Sequence, residues 1–144
     1  MDILALIISA CALCLSIFQF FSDGERQKKE STLLAYNELQ NEVFSKLKQY
    51  NLKALGQETE EWNQVTTCLA KIENFCVGIN SGIYSLDTLN RLGGGFFIGQ
   101  FDTLWPIINR KRDGDPRSKH YDEFESVIKK LKIKREKREW RSEN

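Results

Sequence analysis

Histidine is almost absent from this chain, with His120 the only one in 144 residues. The two cysteines outside the apolar N-terminal run, Cys68 and Cys76, form no C-x-x-C pair and have no histidine cluster beside them, so no zinc ligand set emerges. Eight residues apart, they fall about two helical turns from each other on one expected buried face. A disulfide is disfavoured for them in a cytoplasmic domain. Proline is scarce too: only Pro106 and Pro116 occur, and with regular apolar spacing this points to an all-α fold. The formal net charge is +1, so bulk electrostatics does not call for nucleic acid. There is no repeat at solenoid spacing, no Walker lysine–serine pair and no nucleophile elbow. No cofactor is expected.

What is present is a run of nineteen uncharged residues, Ile3–Phe21, with polar atoms only at Ser9, Ser16 and Gln19. A helix of about twenty apolar residues crosses a ~30 Å hydrocarbon core. A cleaved signal would need a positive start, and only Met1 and Asp2 precede the run. Ile8-Ser9-Ala10-Cys11 loosely fits a lipoprotein signal, but apolar residues continue well past Cys11. The expectation is a retained transmembrane anchor over residues 1–22. Arg26, Lys28 and Lys29 follow it and no Lys or Arg precedes it, which predicts the N-terminus outside and the C-terminal part in the cytoplasm. Cys11 and Cys14 share one face with small neighbours. They read as lipid-facing or packing residues that let a second helix approach.

Residues 23–30 read as a juxtamembrane linker, residues 31–131 as a bundle of four or five helices, and residues 132–144 as a basic tail. The first soluble helix is expected from Ser31, as N-cap, to Leu55, with Tyr36, Leu39, Val43, Leu47 and Tyr50 as its apolar stripe and Gly56 as its stop. A single long helix that carries the domain on a stalk is the alternative. The second helix is expected over Glu58–Asn80 and the third from the Ser85 cap. Gly93-Gly94-Gly95 marks a break, kink or close contact. Pro106 marks a kink or a restart. A turn at Asp113-Gly114-Asp115-Pro116 precedes a last helix over Lys119–Glu139, with Tyr121, Phe124, Ile128 and Leu131 on one face.

The tail from Lys129 to Arg141 holds eight basic residues, Lys129, Lys130, Lys132, Lys134, Arg135, Lys137, Arg138 and Arg141, opposed by Glu136 and Glu139. Each basic residue near a cytoplasmic leaflet contributes about 1 kcal/mol of attraction to anionic lipid, and Trp140 would anchor at the interface. The competing reading is a solvated helix end. Gly95 and Gly99, four apart, fit close helix packing. Asp102 is expected on a helix surface, with a buried acid positioning Tyr84, Trp105 or a cation as the alternative. His120 is expected at the surface near a helix start.

The stretch IENFCVGINSGIYSLDTLNRLGGGFFIGQFDTLWPIINRKR resembles a bacterial family known as domain of unknown function 4760. The carried positions are Ile72 to Phe75 ahead of Asn80-Ser81-Gly82-Ile83, then Gly95, Phe101 to Pro106, and Tyr121-Asp122-Glu123-Phe124. The resemblance spans Thr32 to Leu131. It implies a short protein with an N-terminal membrane helix and a helical domain, in the bacterial inner membrane. It carries no activity and no catalytic residue.

The leading expectation is a non-enzymatic membrane-anchored interaction module. Its expected partners are membrane lipid, a second copy of itself and a cytoplasmic protein, with nucleic acid disfavoured. A membrane effector in antiphage or stress defence is the alternative. A hydrolase built on Asp102 or His120 lacks a coherent constellation.

Overall fold

The computed structural model describes residues 3–113 and 118–143, with side chains described for 7–113 and 118–140. Among these residues there are four helices and no strand. The expected turn at Asp113–Pro116 falls mostly on residues 114–117, outside the described residues.

Helix α1 is continuous over Ile3–Glu38 and extends through a π-helical turn, Leu39–Phe44, into a last α-turn, Ser45–Leu47. The stalk alternative therefore replaces the separate soluble helix. Ser31 lies inside α1 and caps nothing, residues 23–30 are helical, and the helix ends eight residues before Leu55. Gly24 contacts no side chain, and its cost of about 1 kcal/mol in a helix does not interrupt a long run. An Arg26–Glu30 pair at 2.9 Å supports the helix across this region. Every described residue from Ile7 to Gln27 is exposed, whereas Thr32, Tyr36, Leu39, Val43, Phe44 and Leu47 are buried. The apolar half of α1 projects from the bundle, and its other half belongs to the core.

Helix α2 spans Glu60–Asn80 and is capped by Thr59, whose Oγ1 accepts from the Trp62 amide at 3.1 Å. Helix α3 spans Leu86–Lys111 and is capped by Ser85, whose Oγ accepts from Thr88 at 3.2 Å. The α2–α3 turn needs a left-handed residue, and Gly82 takes φ 80° there. Helix α4 spans Asp122–Glu143.

The order of contacts fixes the topology. Ser85 meets Thr32, Gly93 meets Tyr36, and Phe96 and Phe97 meet Phe44, so α3 runs parallel to α1. Arg112 reaches Glu125, Gly94 faces Leu131, and Asp87 pairs with Lys134, so α4 runs back along α3. Trp62 sits under Arg110 and Phe75 stacks on Tyr84, so α2 descends between them. The result is an up-down-up-down bundle. Phe97 and Phe124 lie at its centre in edge contact at 5.2 Å. Cys68 and Cys76 are both buried and free, on the face of α2 expected for them.

The glycine triplet marks a kink and a close contact, two of the outcomes expected for it. Its kink lies at Gly93 (φ −178°, ψ 35°), and Pro106 sits within the helix without ending it. A Cβ at Gly93 would stand 2.0 Å from the Tyr36 hydroxyl, so the glycine lets α1 and α3 touch.

Candidate functional site

Two regions concentrate polar chemistry: the end of the bundle from which the apolar half of α1 projects, and the opposite end, where the loops meet.

At the loop end, Arg110 and Arg112 each bind several carbonyl or carboxylate groups. Arg110 donates to the carbonyls of Leu55 at 2.5 Å and Leu52 at 3.1 Å, and lies 5.1 Å from the Trp62 ring centroid. It pins the α1–α2 loop to the end of α3. Arg112 donates to the His120 carbonyl at 2.8 Å, Glu125 at 3.0 Å and Asp122 at 3.2 Å. It ties α3 to the start of α4, and its side chain is only 12 % exposed. Neither was singled out by the sequence, because their partners lie in other elements of the bundle.

Glu73 supplies a further long-range link. Tyr121 precedes α4 in a left-handed conformation (φ 64°) and brings no short polar side chain to cap the helix. Glu73, on α2, supplies the cap: its two carboxylate oxygens accept from the amides of Glu123 at 3.0 Å and Phe124 at 2.8 Å. Burial pushes its carboxyl above the ordinary range, against the pull of those two amides. Asn80, two turns on, donates to Glu123 at 2.6 Å and accepts from Lys130 at 2.6 Å.

At the opposite end, α4 outlasts α3. Lys134 pairs with Asp87, Arg135 donates to Asn90 at 3.5 Å and covers Gly95, and Lys132 lies 3.9 Å from Asp102. Nearer the loop end, Lys129 pairs with Glu125 at 2.8 Å. Asp87, Asn90, Arg91, Lys134, Lys137 and Arg138 line an open depression between α3 and α4. Trp140 is exposed, and the side chain of Arg141 lies outside the described residues. The expected tail is thus a helical continuation of α4, anchored to α3 through Lys134 and basic beyond it.

The remaining expected residues fall as follows. Asp102 is a surface residue with 63 % of its side chain exposed, which removes the buried-acid alternative. His120 is exposed and lies by Gln57, Trp62 and Arg110 at the loop end. Asp102 is ten residues below Arg112 on α3, about 15 Å along the helix, so the two share no site. Within the chain, a Cβ at Gly99 would touch nothing and one at Gly95 would meet the Arg135 guanidinium of α4 at 3.4 Å, while tighter approaches lie at Gly78, against Tyr84, and at Gly93, against Tyr36. Cys11 and Cys14 are exposed on the projecting half of α1. Burial raises the Cys76 thiol well above its ordinary value, which leaves it protonated and unreactive at neutral pH. Among the described residues no group of His, Cys, Asp or Glu is arranged to hold a metal ion.

The model of a family described as a domain of unknown function (DUF4760) matches residues 6–131. The chain belongs to the DUF4760 family. The match begins within the apolar run rather than at Thr32, so the DUF4760 domain takes in the projecting half of α1 as well as the bundle. It ends at Leu131, the last buried residue of α4 among those whose side chains are described, and the basic turns beyond lie outside it. No curated protein and no solved structure matches the chain.

Proposed function

We propose that this protein is a single-pass membrane module. The apolar half of α1 is the anchor, and the bundle is a cytoplasmic platform that self-associates and docks a protein partner. One observation carries the reading: a helix long and apolar enough to cross a membrane leaves the bundle with none of its apolar window buried against the protein. Exposing Ile7, Ile8, Leu13, Leu15, Ile17, Phe18, Phe20 and Phe21 to water would be costly at about 25 cal/mol per Å² of apolar surface. Lipid removes that cost, and a second copy removes part of it. Arg26, Lys28 and Lys29 just beyond Phe21 favour a cytoplasmic bundle. The Cys11–Cys14 face, with Ser9, Ala10 and Ala12, is the small-residue side suited to helix pairing.

Two experiments test this reading. Membranes from expressing cells, washed with alkaline carbonate, should retain the protein, and release into the wash contradicts the anchor. A dilution series in mild detergent with mass measured by light scattering should show an oligomer, and monomer at every concentration removes self-association.

A second reading is a membrane effector, in antiphage or stress defence, driven by a partner or nucleotide signal. The continuity of α1 from the apolar segment into the core favours it, because a shift in the bundle would be passed directly to the membrane. Overexpression that leaves growth and membrane potential normal, with and without infection, counts against it.

A further inference from the structure

The topology returns α4 to the end where α1 leaves for the membrane. Thr32 of α1 is level with Ser85, whose amide donates to its hydroxyl at 2.8 Å. Lys134 of α4 is level with Asp87, two residues further along α3. From Thr32 back to Phe21 is about 16 Å of helix, and from Lys134 on to Glu143 is about 14 Å in the same direction. The tip of α4 therefore ends within about 10 Å of the level of Phe21, and headgroups together with a Debye length of ~8 Å span that gap.

The described side chains at this tip are mostly cationic, with Glu136 and Glu139 the acidic residues among them. Arg91, Lys134, Lys137 and Arg138 surround one carboxylate, Asp87, in the depression between α3 and α4. Lys134 is already paired with Asp87, which leaves Arg91, Lys137 and Arg138 to face an external anion. Arg138 and Lys137 carry flexible stems of about 6 Å, long enough to reach outward from the helix. Trp140, 68 % exposed, is the residue type that settles at the headgroup level.

We propose that the last turns of α4, together with Arg91, form a site for the phosphate of anionic lipids in the membrane that α1 enters. The proposal rests on the anchored reading above. The site holds the bundle upright against the leaflet, because α4 then touches the membrane at a second point beside α1. Free phosphate offers the same chemistry, but lipid is favoured because the anchor keeps its phosphates at the tip of α4 at all times.

The test is hydrogen exchange on the full chain in nanodiscs of pure phosphatidylcholine or of phosphatidylcholine with 30 % phosphatidylglycerol. Amides of residues 136–143 should exchange roughly tenfold more slowly in the anionic discs, given the attraction of basic residues to such a surface. The double substitution K137Q/R138Q should abolish that difference while amides of 122–131 stay as protected as before. Equal exchange in the two discs, or a difference that survives K137Q/R138Q, overturns the lipid site. Equal slowing in pure phosphatidylcholine discs by millimolar inorganic phosphate or by a single-stranded RNA overturns the choice of lipid. A chain that does not enter discs at all overturns both this site and the anchor.

Discussion

A Cβ at position 93 would stand 2.0 Å from the Tyr36 hydroxyl and 2.9 Å from its ring. Gly93→Ala should therefore destabilise the bundle by about 1–3 kcal/mol, as overpacking does, in urea unfolding of detergent-solubilised protein. Tyr36→Phe removes the clashing oxygen and the 2.6 Å bond that Gln40 donates to it. The two substitutions should be non-additive, with the double variant less destabilised than the sum of the singles. Glu73→Ala removes the cap of α4 and should cost about 1–2 kcal/mol. Its pH signature is distinct. The Glu73 carboxyl is raised on folding, so its contribution favours the fold below the ordinary carboxylate range and is lost as pH rises through the folded value. Glu125 behaves oppositely: hydrogen bonds from Lys129 and Arg112 lower its carboxyl, so its contribution is present above the ordinary range and lost as pH falls. Glu125→Gln should lower the melting temperature at pH 7, and the gap to the parent should close toward pH 3.

At the scale of elements, the sequence revealed most where neighbours along the chain decide the outcome. Ser85 was legible as a cap because its acceptor works three residues away, and the α4 stripe from Tyr121 to Leu131 was legible because each apolar side chain follows the helical period. The α1 stripe omitted Phe44, which is fully buried against Phe96 and Phe97. The 3.6-residue period allows the adjacent pair Val43 and Phe44 on one face, and a stripe counted at single positions passed over the second of them; both lie in the π-helical turn Leu39–Phe44. Phe44→Ala should cost about 3–5 kcal/mol, read as a large loss of the unfolding midpoint. The Glu73 cap was illegible for another reason, since its partners lie fifty residues away and only the packed bundle joins them. The glycine triplet pointed to a break, kink or close contact without saying at which member, because propensity treats the three alike; the kink and the Tyr36 contact both fall at Gly93.

For the whole molecule, one continuous α1 joins the apolar, span-length segment to the bundle, and an even number of alternating helices returns the chain to the end from which that segment projects. The apolar segment was legible in the sequence by composition alone. The sequence did not show that the basic end of α4 would arrive at the same level, because that depends on the pairing of α3 with α4. The central claim is that α1 crosses the membrane with the bundle on the side of Arg26, Lys28 and Lys29. The most direct measurement is trypsin digestion of sealed membrane vesicles of known sidedness. Inside-out vesicles should lose the bundle and right-side-out vesicles should protect it. Protection in the inverted vesicles with digestion in the others, or a chain washed free of both, would contradict the account.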